Sequence, residues 1–179
     1  MNRAQAVHLV IFRIMQQSTT VDIVPAAPSD VPLVLELIKE LADYEKLSHE
    51  VIATEASVGQ ALFGSRPSAE AIIARIGGEP AGFALYFHNF STFLGKHGLY
   101  LEDLFVRPAY RGRAVGKTLL RYLAALAVER DCGRFEWAVL DWNRPAREFY
   151  EALGAQPKSD WIIHRISGEA LRRLAASPS

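Results

Sequence analysis

The chain has 179 residues, half of them hydrophobic and 22% charged, and its 20 basic and 20 acidic side chains cancel to zero formal charge. This is an ordinary globular composition with enough length for a sizeable core, and the neutral balance argues against a nucleic-acid binder or a polybasic membrane partner. Cys132 is the only cysteine, which excludes an internal disulfide and a cysteine zinc cage; the five histidines lack metal-ligand spacing, so no metal is expected.

Residues 1–20 read as an N-terminal tail. The run Val7-His8-Leu9-Val10-Ile11-Phe12, flanked by Arg3 and Arg13, is too short to span a bilayer and has no signal-peptide cleavage pattern. A membrane role is therefore not expected, and the cytoplasm is the expected location. Met15 is an alternative initiator, and a partner-binding strand is the other reading of the run. Residues 21–176 read as one mixed α/β domain without repeats or a linker.

Val21 to Val24 forms a first strand closed by Pro25 and Pro28. Ser29 and Asp30 then cap a helix with Pro32 in its first turn, burying Val31, Val34, Leu35, Ile38, Leu41 and Ala42 and ending near Asp43 to Lys46. Thr54-Glu55-Ala56-Ser57 starts a second helix that Gly64 terminates. Glu70 to Ile76 and Ala81 to His88 are strands joined by the turn Gly77-Gly78-Glu79-Pro80. An open, mobile loop, Asn89 to Gly98, leads to a central strand, Leu99 to Val106, apolar except for Glu102 and Asp103.

Arg107-Pro108 stops that strand, and a helix follows with Val115, Leu119, Tyr122, Leu123, Leu126 and Ala127 along one face. Arg134 to Leu140 is the next strand, parallel to Leu99–Val106 because a helical crossover joins them. Asn143 caps a short helix, Arg144 to Leu153, ended by Gly154. Trp161 to Ile166 is a last strand, and Gly168 to Ala176 a closing helix or turn.

Between the central strand and its helix lies Arg111-Gly112-Arg113-Ala114-Val115-Gly116-Lys117-Thr118. A strand feeding a glycine-containing turn at a helix N-terminus suits a pyrophosphate, because the first N–H groups are unpaired and carry the positive end of the helix dipole. A P-loop requires GxxxxGK[ST]; the segment Gly112-xxx-Gly116-Lys117-Thr118 is one residue short, which spoils convergence of the N–H groups on one anion.

The segment instead fits (Arg/Gln)-x-x-Gly-x-(Gly/Ala), the pyrophosphate motif of the GNAT superfamily of N-acetyltransferases, with Ala114 in place of the middle glycine. The resemblance extends further, in register, through Glu40 to Leu47, Tyr100-Leu101-Glu102-Asp103, Tyr110-Arg111-Gly112, Asp141-Trp142-Asn143 and Phe149 to Ala155. Together these segments resemble the spermidine/spermine and thialysine N-acetyltransferase branch. The resemblance implies a mixed, mostly antiparallel sheet whose two parallel central strands splay apart and are flanked by helices. It also implies acetyl-CoA as co-substrate, with pantetheine against the backbone of Leu104, Phe105 and Val106. Pyrophosphate is expected on Arg111, Gly112, Arg113, Ala114, Val115, Gly116 and Lys117, and further cofactor contacts from Asn143 and Tyr150. Homodimerisation is typical of the branch.

The implied reaction is direct attack of an amine on a thioester in a ternary complex. A lysine-like amine has a pKa of about 10.4, so roughly one molecule in 2,500 is neutral at pH 7, and a base near the amine is valuable. Glu102 matches the glutamate assigned that role in the branch; a solvated or arginine-paired strand carboxylate is the bland alternative. Asp103 points to the opposite face of an ideal strand and shares the site only if the strand bulges. It is assigned to substrate-ammonium binding, against a structural ion pair.

Tyr150 is assigned to protonation of the departing thiolate, against a core tyrosine beside Phe149 and Leu153. Tyr44, Glu45 and Phe93 complete the expected substrate contacts, ordinary helix-surface solvation being the alternative for Glu45. The segment Asn89-Phe90-Ser91-Thr92-Phe93 lacks the acidic residue and tryptophan of polyamine-specific members. A small amino acid or diamine with a primary side-chain amine is therefore the leading substrate. Alternatives are a non-catalytic acyl-CoA-binding module and an acetyltransferase acting on a protein amine.

Overall fold

The structure is a computed structural model that describes residues 20–176; the expected tail, with its apolar run and Met15, lies outside them apart from Thr20. The contacts divide the chain at Ala138/Val139 into two compact units, both crossed by the expected domain at 21–176.

The first unit holds β1 (Val21–Pro25), α1 (Val31–Tyr44), α2 (Glu55–Phe63), β2 (Glu70–Ile76), β3 (Glu79–Ser91), β4 (Lys96–Val106), α3 (Val115–Glu129) and β5 (Arg134–Trp137). Its strands form one five-stranded sheet in the order β1-β2-β3-β4-β5. Every neighbouring pair is antiparallel except β4 with β5, which is parallel as the helical crossover requires.

Strand alternation sends the apolar residues of the sheet to two faces. Ala71, Ile73, Phe83 and Phe105 pack with Val34, Leu35, Leu37 and Leu41 of α1 and Val58 and Leu62 of α2. The alternate residues, among them Ile72, Ala74, Leu99 and Leu101, are also buried, and α3 packs on the sheet with Val115, Leu119 and Leu123 fully enclosed. Burying each such aliphatic side chain is worth about 1.5–3 kcal/mol, so helices on both faces hold the sheet. In α1, Leu37 takes a fully buried place and Ile38 only a half-buried one.

Local signals set several boundaries as expected. Thr54 caps α2 by accepting from the Ser57 N–H at 3.2 Å, while Ser57 Oγ accepts from the Thr54 N–H at 2.9 Å. The β2–β3 turn contracts to Gly77-Gly78, with φ of +60° and +88°, and Pro80 belongs to β3.

Two expectations are corrected in the first unit. The loop expected at Asn89 to Gly98 is mostly ladder: β3 and β4 continue to the pair Ser91↔Lys96, leaving a turn at 92–95. Edge-to-face ring pairs, His88 with His97 at 6.0 Å and Phe90 with His97 at 5.8 Å, favour this extension. The strand expected from Arg134 to Leu140 ends at Trp137.

The second unit holds α4 (Arg144–Ala152) and α5 (Gly168–Ala176). Asn143 caps α4 as expected, its Oδ1 accepting from the Ala146 N–H at 3.3 Å, and Gly154 takes φ +93° after the helix. The strand expected at Trp161 to Ile166 does not form: this segment joins no ladder, and Trp161, Ile162 and Ile163 are exposed. β-rich composition supplies only one side of a strand; the other is a sheet edge to pair with. Among the described residues, no helix is long and apolar enough to cross a membrane.

Arg107, just past β4, ties the sheet to α1. Its Nε donates to the Glu40 carboxylate at 3.0 Å and its Nη1 to the Pro80 carbonyl at 3.3 Å. Arg107→Met should leave Glu36 and Glu40 facing each other without their cation. Because charge-assisted bonds contribute about 1.5–3 kcal/mol and these are partly exposed, urea unfolding should show a loss of roughly 1–2 kcal/mol.

Candidate active site

The chemistry gathers where β4 stops being regular. The β3–β4 register runs Leu85↔Asp103 and then Tyr86↔Leu101, so Glu102 is an extra residue without a partner across the ladder. This is the bulge that the two adjacent carboxylates require. Beyond it Asp103 lies opposite Leu85, which packs against the α1–α2 core, and Phe105 lies in that core. Before it Leu101 lies opposite buried Tyr86. The extra residue shifts the alternation by one, so Glu102 and Asp103 present their side chains to the same face, that of α1.

Glu45, directly after α1, completes the group. Asp103 is raised from 3.8 to about 6, first by burial and then by the negative charges of Glu102 and Glu45. Burial also raises Glu45. Among the described residues neither Glu45, Glu102 nor Asp103 belongs to an ion pair, so the arginine-paired alternative for Glu102 is not the arrangement found. Three carboxylates with no cation of their own form a site that favours an ammonium.

The same strand offers a second feature. β5 pairs with β4 only from Gly98↔Arg134 to Leu101↔Trp137. From Glu102 onward no strand among the described residues pairs with β4 on that side, where only the Arg111 Nε donates to the Val106 carbonyl, so the stretch Leu104, Phe105 and Val106 keeps an edge to which an extended amide-bearing chain can pair. Directly after it come a 3₁₀ turn (Pro108–Tyr110) and the motif. Gly112 has φ +74° and Ala114 φ +61°, both left-handed, and α3 starts at Val115. The first bond of α3 is Thr118 N–H to the Ala114 carbonyl at 2.9 Å, so the N–H groups of Val115, Gly116 and Lys117 precede it and lack an intrahelical partner. Left-handed residues followed by a helix start turn successive N–H groups toward one anion. Edge and turn together fit pantetheine and pyrophosphate, the two parts of coenzyme A they would hold.

The fold therefore unites Glu45, Glu102 and Asp103, and places them on the strand that runs through Leu104 to Val106 toward the turn at Arg111 to Lys117, the residues expected to meet the cofactor. Phe93 is not brought to them: it is 93% exposed at the β3–β4 turn, beyond Lys96, and roughly 20 Å along β4 from Glu102 at about 3.3 Å per residue. Asn143 and Tyr150 belong to the second unit, where Tyr150 lies on α4 with its ring 5.5 Å from that of Phe149. Tyr44 ends α1, and its ring lies under the Arg111 guanidinium at 4.7 Å. That contact has no sequence signal, because 67 positions separate the partners.

A mixed sheet with one parallel strand pair, a bulged central strand and a left-handed turn opening a helix fits a coenzyme A-dependent acyltransferase fold. The Acetyltransferase (GNAT) family model matches residues 34–155, and the chain belongs to that family. It is 39% identical over 161 residues to the thialysine N-epsilon-acetyltransferase of Bos taurus, covering 84% of this chain and 94% of that protein. It is 34% identical to an L-ornithine N5-acetyltransferase of Arabidopsis thaliana, over 83% of this chain and 85% of that one. A solved integron cassette protein of V. cholerae superposes with a TM-score of 0.74 at 27% identity, over 88% of this chain and 98% of the other. The chain is an amine N-acetyltransferase.

The electrostatics set a pH dependence. Asp103 holds its proton more tightly folded than unfolded, so stability declines as pH rises from about 4 to about 6, and the full penalty stands above that. Asp103→Asn should thus stabilise the protein at pH 7 by about 3 kcal/mol, with the gain vanishing below pH 4; urea titrations at both pH values check it. Left-handed Ala114 is strained by its Cβ. Ala114→Gly should raise stability by about 0.5–1 kcal/mol, seen as a higher melting temperature.

Proposed function

We propose that the chain moves the acetyl group of acetyl-CoA to the primary amine of a thialysine-like amino acid, a diamine or a polyamine, by direct attack. The observation that carries this is the β4 bulge, which turns Glu102 and Asp103 to the face of α1, where Glu45 adds its charge, next to the edge of the same strand that β5 leaves uncovered. Acetyl-CoA supplies the thioester whose carbonyl carbon accepts the amine. Asp103 and Glu45 attract and orient the cationic substrate, and Glu102, the most exposed of the three, takes the ammonium proton directly or through one water.

On the cofactor side, the backbone of Leu104, Phe105 and Val106 pairs with pantetheine, while Arg111, Gly112, Arg113, Ala114, Val115, Gly116 and Lys117 hold the pyrophosphate. By the resemblance to the branch, Asn143 is assigned a cofactor contact and Tyr150 the proton that the leaving sulfur takes up. A thiol pKa of about 8.5 lets that group leave with modest help, so Tyr150 matters less than Glu102. The names of the relatives, which act on thialysine and ornithine, support a small amine over a protein one. Residues 21–176 are read as the acetyltransferase domain, homodimeric and cytoplasmic; the dimer rests on the resemblance to the branch.

The deciding experiment is acetyl-CoA turnover with a panel of thialysine, ornithine, short diamines, spermidine and a lysine-containing peptide. Turnover with the small amines above the peptide is expected; peptide preference would overturn the proposal. Glu102→Gln should lower turnover by about 10²–10⁴ at neutral pH and by less at high pH, where free amine is plentiful. Tyr150→Phe should cost about 10²-fold or less in single-turnover rate, with coenzyme A affinity nearly unchanged.

A further inference from the structure

The end of α1 reaches both halves of the site through two adjacent residues. Glu45 adds its charge to the carboxylate group, while Tyr44 puts its ring 4.7 Å from the guanidinium of Arg111, the first residue of the pyrophosphate motif. Arg111 is held on a second side, its Nε donating to the Val106 carbonyl at 3.1 Å, with the Phe105 ring 6.0 Å from the same guanidinium. The Tyr44 ring meets the guanidinium carbon, and Nε is only one of five N–H donors. The Nε bond and the nearby rings hold the side chain in place, and among the described residues the terminal N–H groups of its fork have no hydrogen-bond partner.

We propose that Tyr44 is a positioning residue for coenzyme A: it acts through Arg111, stacking the guanidinium so that its fork is pre-set for the pyrophosphate, and does not contact the amine. The inference rests on acetyl-CoA being the co-substrate. Holding a long arginine in its bound conformation before the ligand arrives removes an ordering cost from binding. The geometry also explains why an aromatic residue and a carboxylate stand side by side at the end of α1, one serving each substrate.

The test is calorimetric titration of coenzyme A into wild type, Tyr44→Phe and Tyr44→Leu, with steady-state kinetics on each. Tyr44→Leu should weaken coenzyme A about 3- to 30-fold, the range of a guanidinium–ring contact, and Tyr44→Phe should stay within about twofold of wild type. At saturating acetyl-CoA, the amine KM and kcat of Tyr44→Leu should stay within about twofold of wild type, since the proposed role acts on coenzyme A through Arg111. Each variant's melting temperature without ligand checks folding; should Tyr44→Leu not fold, Tyr44→Gln takes its place with the same expectation. Unchanged coenzyme A affinity with a raised amine KM would overturn the proposal and return Tyr44 to the amine side. Wild type that binds no coenzyme A would overturn the co-substrate reading itself, and this proposal with it.

Discussion

One residue too many in β4 is the constraint on which the rest depends. A regular strand carrying Glu102 and Asp103 would send one carboxylate to each face of the sheet, and one of them would meet the apolar side chains that α3 covers. A buried, unpaired carboxylate there would cost several kcal/mol. Placing Glu102 outside the ladder turns both carboxylates toward α1, keeps the α3 face apolar and concentrates negative charge on one side.

The same strand separates the two tasks of the enzyme without separating their places. Its bulge carries the charges that suit an amine, and its free edge carries the backbone groups that suit a coenzyme. β5 permits this by stopping at Trp137, opposite Leu101, because a longer parallel partner would occupy the backbone of Leu104 to Val106. Arg107 then locks the strand end to α1, and the left-handed Gly112 and Ala114 turn the chain into α3. Strain at Ala114 is tolerated where the sheet and the helix both over-determine the turn.

Charge is concentrated in the same economical way. Burial and two like charges act together on Asp103, and each raises the free energy of its ionised form in the absence of a cation. In the proposed reading a positively charged amine reverses that balance, so destabilisation of the empty site becomes affinity for the filled one. Glu102 keeps contact with solvent, which suits a group that passes a proton on to water.

The sequence by itself determined whatever local chemistry specifies. Apolar periodicity marked the helices, Thr54 and Asn143 marked caps, Gly77-Gly78 marked a turn, and the motif spacing from Arg111 to Gly116 set that segment apart from a P-loop. It also stated the condition for Asp103, a bulge, without revealing that the bulge exists. Only the tertiary structure decided that, because a bulge is defined by pairing with another strand. The same reason covers two other segments: Asn89 to Gly98 became ladder because partners lay opposite, and Trp161 to Ile166, whose composition alone suited a strand, joins no ladder. The Tyr44–Arg111 stack, between residues far apart in the chain, depends wholly on how α1 packs against the end of β4.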